Sequence, residues 1–147
     1  MTITPPSVPF WTYYDDDGNT LHGLARLDAD VLSLEFQFKD DEGYLLDEIH
    51  HATIRLADLD AVRFSRNVFW AKLTLRVRSL SLLKAMRGAR QGMLKLRFSR
   101  KYRDEAQALA TQLQLRMSER KIKQMDEEMR RLDDSATADD ATADGRG

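Results

Sequence analysis

The chain has no cysteine among its 147 residues, which excludes disulfides, thiolate nucleophiles and cysteine-based zinc sites. Histidine is nearly as scarce, with His22, His50 and His51 alone. Adjacent strand residues point to opposite faces, so His50 and His51 do not readily ligate one ion together. Glu48 and His50 share a face and can hydrogen-bond, but the pair has no nucleophile beside it. No apolar run approaches the roughly 20 residues of a membrane-spanning helix. The N-terminus lacks a basic stretch followed by an apolar one, and Pro5, Pro6 and Pro9 break any early helix. The expected location is therefore cytoplasmic. Glycine is sparse as well. Gly88 and Gly92, with Arg87 and Arg90, form a basic loop without the lysine–serine ending of a nucleotide-binding motif.

Carboxylates are abundant, but they fall in turns or in the C-terminal tail, where nothing shields one enough to raise its pKa for acid–base work. The run Asp15-Asp16-Asp17-Gly18-Asn19 invites a calcium loop and fails on spacing. With Gly18 at the sixth position, Tyr13 and Leu24 would occupy the first and twelfth, and neither can coordinate the ion there. No catalytic residue, metal or cofactor is assigned. The chain does not read as an enzyme.

What is present is charge, sorted along the chain. Residues 1–54 carry 2 basic and 11 acidic side chains, residues 55–103 carry 14 and 2, and residues 104–147 carry 7 and 11. The net charge of −1 hides this asymmetry. Either the basic third serves an anionic partner, or acidic segments cross it and neutralise it.

Between Leu21 and Arg103 the pattern is one of short strands. Leu21–Leu27 and Val31–Phe38 are joined by Asp28-Ala29-Asp30, and Leu32, Leu34, Phe36 and Phe38 alternate inward. A third strand is expected over Ile49–Leu56 and a fourth through Val62 and Phe64. In the fifth, Phe69, Ala71, Leu73, Leu75 and Val77 face one way. A weaker segment over Leu80–Met86 and a last strand over Met93–Ser99 complete seven. Phe10-Trp11-Thr12-Tyr13-Tyr14 is β-prone and is expected to pair with Leu21–Leu27 as an additional hairpin strand.

A helix follows, with Asp104 as its expected N-cap. Tyr102, Ala106, Leu109, Leu113 and Met117 form its buried stripe. The apolar spacing continues beyond that stripe. Leu115, Ile122 and Met129 recur every seven residues, as do Ser118, Met125 and Leu132, which marks a self-association seam of coiled-coil type. Glu119 with Lys123, Asp126 with Arg130 and Glu127 with Arg131 are acid-first i,i+4 pairs. From Asp133 the chain becomes a degenerate Ala-Thr-Ala-Asp repeat without large apolar residues, expected to be disordered.

Seven strands and a late helix resemble the pleckstrin-homology-like fold, an open barrel capped by a C-terminal helix. Gly23–Leu27, Val31–Phe36, Ile54–Leu59, Leu73–Arg78 and Gly88–Gly92 followed by Leu94–Phe98 are similar to small bacterial proteins of that kind, whose function is largely unassigned. The resemblance spans Leu21–Met117 and implies a mainly β fold, with no activity attached. Lipid-binding members hold inositol phosphates with basic residues around the first strand–strand loop. Here that loop is taken as Asp28-Ala29-Asp30 beside Arg26 and would repel phosphate, so phosphoinositide binding there is not expected.

The expected organisation is a disordered segment 1–9, an aromatic and acidic extension 10–20, a barrel with its capping helix 21–117, a helical extension 118–132 and an acidic tail 133–147. The expected function is a non-enzymatic interaction or scaffold module whose partner is a protein or a second copy, through Leu115, Ile122, Met125, Met129 and Leu132. The alternative is an adaptor for an anionic partner, nucleic acid or an acidic membrane. It would use a face built from Arg63, Trp70, Lys72, Arg76, Arg78, Lys95 and Arg97, with Trp70 stacking under Arg63 or Arg66.

Overall fold

A computed structural model describes residues 6–15, 17–78 and 92–144. They form seven strands: β1 (Val8–Tyr13), β2 (Thr20–Asp28), β3 (Val31–Phe38), β4 (His50–Arg55), β5 (Leu59–Arg66), β6 (Trp70–Val77) and β7 (Met93–Ser99). One helix, α1 (Arg103–Asp144), follows. The strands make one open antiparallel sheet in the order β4-β3-β2-β1-β7-β6-β5. Two meanders, β1 to β4 and β5 to β7, are joined where Trp11 of β1 pairs with Arg97 of β7.

Period-two alternation builds the core. Leu32, Leu34, Phe36 and Phe38 of β3 are buried, as are Ala71, Leu73, Leu75 and Val77 of β6 and Leu94, Leu96 and Phe98 of β7. α1 adds Ala106, Leu109, Ala110 and Leu113 to the same core, with Tyr102 and Met117 packed at its margin. The helix touches β1, β2, β5, β6, β7 and the turn between β4 and β5, so the sheet curves around it. Burying each large side chain contributes about 2 kcal/mol.

Several details differ from the sequence reading. The aromatic segment pairs with β2 as the expected hairpin strand, but as β1 it also lies against β7, and Val8 and Pro9, expected to be disordered, belong to it. The expected strand over Leu80–Met86 lies outside the described residues, so the seventh strand is β1. Leu56 leaves β4 to begin a 3₁₀ turn, Leu56–Asp58. Phe69 does not face the core. The Asn67 side-chain oxygen accepts hydrogen bonds from the Phe69 and Trp70 amides at 2.8 and 2.9 Å, and this turn leaves Phe69 71% exposed. A 3₁₀ turn over Arg100–Tyr102 runs directly into α1, placing Asp104 inside the first turn instead of at the cap.

Helix α1 also continues to Asp144, through most of the expected disordered tail. Ala136, Ala138, Ala141 and Ala143 are strong helix formers, and extending an existing helix avoids the cost of nucleation.

Candidate functional site

The outer face of β5, β6 and β7 carries the basic residues that alternate with the core positions. Cross-strand register arranges them in rows. Ser65, Lys72 and Arg97 lie side by side, then Arg63, Thr74 and Lys95, then Ala61, Arg76 and Met93. A depression of about 530 Å³ opens on this face, lined by Arg63, Lys72, Arg76 and Lys95 with Ser65, Thr74, Ala61 and Met93. Among the described residues no carboxylate lines it.

Internal neutralisation accounts for other cations, not for these four. Arg78, expected on the same face, is held by Asp60 at 2.7 Å. Arg66 pairs with Asp104 at 3.2 Å and also reaches the Gln107 side chain. Arg55 pairs with Asp58. Among the described residues, Arg63, Lys72, Arg76 and Lys95 make no ion pair. The acidic loop 40–48 connects β3 to β4, outside the β5–β6–β7 meander that carries these cations.

The aromatic partners also differ from expectation. Trp70 does not stack under Arg63 or Arg66; the Lys72 ammonium lies 5.8 Å from its ring centre. Arg97 instead lies 5.7 Å from the Trp11 ring and 5.3 Å from the Tyr13 ring. Its Nε is buried without a hydrogen-bond partner, and among the described residues two rings hold this cation and no carboxylate does. Trp11 and Tyr13 thus join the face, which the sequence reading missed. Their shared parity in β1 was visible, but only the β1–β7 pairing brings them to Arg97.

The second candidate lies on α1. Leu115, Ile122, Met125, Met129 and Leu132 are 50–69% exposed in two adjacent rows that begin on the side of the helix away from Leu113 and Met117 and continue past the last core contact. Arg120 ties the helix to the sheet, its guanidinium 3.6 Å from Asp30 in the β2–β3 turn.

The histidines have structural surroundings. His50 stacks on Phe36 and meets Phe38 edge-on, and its distance to Glu48 is 3.9 Å, too long for the hydrogen bond the spacing suggested. His51 is exposed opposite Glu35. His22 stacks on Trp11 and lies 3.1 Å from the Thr20 hydroxyl; burial, then the nearby Lys39 charge, holds its imidazole below the ordinary value of 6.5. Asp15 closes the β1–β2 loop by accepting from Asn19 and Asp17, and the Asn19 side-chain bond lowers its pKa below 3.8. Among the described residues no cluster of ligating side chains could hold a metal ion, and no helix is long and apolar enough to cross a membrane.

The first strand–strand loop is therefore Tyr14–Asn19, not Asp28-Ala29-Asp30. It too is acidic, carrying Asp15 and Asp17. No family model, curated protein or solved structure matches this chain.

Proposed function

We propose that this chain is a non-enzymatic interaction module of pleckstrin-homology-like type that self-associates through α1. The strand order, with β1 joining two meanders and a helix packed inside the curved sheet, agrees with that resemblance. The carrying observation is the exposed seam Leu115, Ile122, Met125, Met129 and Leu132, which faces away from the core at Leu115 and runs beyond the last core contact, Met117. Isolated apolar side chains on a surface are ordinary, but a contiguous row at heptad spacing is not.

A second copy fits this row. Laid antiparallel, two helices place Leu115 against Leu132, Ser118 against Met129 and Ile122 against Met125, a pairing that repeats symmetrically on both sides. One flank then sets Lys121 of each copy beside Glu128 of the other. The opposite flank sets Glu119 near Asp126, a repulsion that limits the affinity to about micromolar. Replacing both Ile122 and Met129 with Asp tests the reading, because neither touches the core. The expected outcome is a monomer of unchanged thermal stability; an unchanged oligomer would exclude the seam.

A second reading is favoured by one observation, the four unpaired cations of the outer face: an adaptor for an anionic partner. Retention on heparin that fades with salt is expected. Reversing Lys72, Arg76, Lys95 and Arg97 to Glu should abolish it, and a parent chain that is not retained would remove this reading.

A further inference from the structure

We propose that the outer face of β5–β7 binds a short segment of single-stranded nucleic acid, with phosphates in the basic depression and a base stacked on Trp70; the inference rests on the anion-binding reading. The depression combines four unpaired cations with the Ser65 and Thr74 hydroxyls. Donors and charges therefore alternate across its floor. Its rows repeat every second residue along the strands, about 7 Å, a spacing that an extended phosphodiester chain can follow.

Charge alone would suit any polyanion. The aromatic groups narrow the choice. Trp70 begins β6 at the end of the depression and is 41% exposed, and Phe69 beside it is more exposed still. The Asn67 turn fixes the backbone of both, so the rings are presented without much ordering cost. The Lys72 ammonium lies over the Trp70 ring, 5.8 Å from its centre, so a base stacking on that face takes the ammonium's place and leaves Lys72 to pair with the phosphate. Inorganic polyphosphate has no flat π surface to use the ring.

Shape argues against the other anionic surfaces. The depression spans three strands, roughly 10 Å across, which admits one chain and not a duplex. A bilayer is flat and would meet the rim of a recess whose Lys72 is half-buried. A flexible strand can enter it.

The test uses the full chain and three probes: a labelled twelve-nucleotide oligothymidylate, inorganic polyphosphate, and vesicles of phosphatidylserine with phosphatidylcholine. The oligonucleotide should bind with log K falling against log salt at a slope of about −2 to −3, as expected for up to four phosphates on a single strand. Trp70→Ala should weaken oligonucleotide binding about tenfold or more while leaving polyphosphate binding unchanged, and Trp70→Phe should restore most of it. Lys72→Glu with Lys95→Glu should abolish both. Polyphosphate binding without tighter, Trp70-dependent oligonucleotide binding would overturn the inference and spare the anion-binding reading. Binding to vesicles in preference to the oligonucleotide would overturn it in favour of a membrane. A parent chain that binds none of the three would remove both.

Discussion

Gly23 of β2 lies directly opposite Phe36 of β3, and the strands approach so closely there that a side chain at Gly23 has no room. A Cβ on Gly23 would stand 2.1 Å from the Glu35 carbonyl oxygen and 2.7 Å from the Phe36 Cβ. Backbone cannot step aside as a flexible side chain can. Gly23→Ala should therefore destabilise the protein by about 2 kcal/mol or more, measured as a lowered urea midpoint. A variant as stable as the parent would show that β2 and β3 are farther apart at this point.

The register of β3 can be tested by contrast. Leu34 is buried in the core, whereas Val31 is half-buried at the strand's start opposite Arg55. Leu34→Asp should cost about 4 kcal/mol or more, since it removes a buried leucine and leaves an unpaired carboxylate inside. Val31→Asp places its charge at a strand end between the exposed Arg55 and Asp28, where water solvates it, and should cost about 1 kcal/mol or less. Equal thermal stabilities would contradict the alternation.

That alternation was legible because β3 is strictly periodic: each residue's parity decides its face without reference to any other strand. The hairpin of β1 with β2 was legible from the turn between them, but the place of β1 beside β7 was not. Its neighbour β7 follows some eighty residues later in the chain, and nothing local in Trp11 announces Arg97. Phe69 continues the parity of Leu73 and Leu75, yet the Asn67 side chain captures the amides of Phe69 and Trp70 and breaks the strand there. Local hydrogen bonding overrode the pattern. The basic face was legible as a set of positions, but which cations lack acids was not. Asp60 for Arg78 and Asp104 for Arg66 are tertiary or cross-strand partners that only the folded chain selects.

His22 gives the fold a pH dependence of known sign. Burial and Lys39 lower its folded pKa, so the unfolded chain takes up a proton near 6.5 while the folded chain resists it. Stability is then fully present above about pH 6.5 and falls as the pH drops through the folded value. His22→Gln keeps a polar group near Thr20 and removes the titration. Between about pH 7.5 and pH 5.5 the parent's urea midpoint should fall further than the variant's. Parallel losses would assign the acid sensitivity to other groups.

The exposed row on α1 has its most direct test in the mass of the unmodified chain. Sedimentation equilibrium at tens of micromolar should give twice the 17.0 kDa chain mass, with dissociation on dilution. A mass of 17.0 kDa at every concentration would contradict self-association through Leu115, Ile122, Met125, Met129 and Leu132.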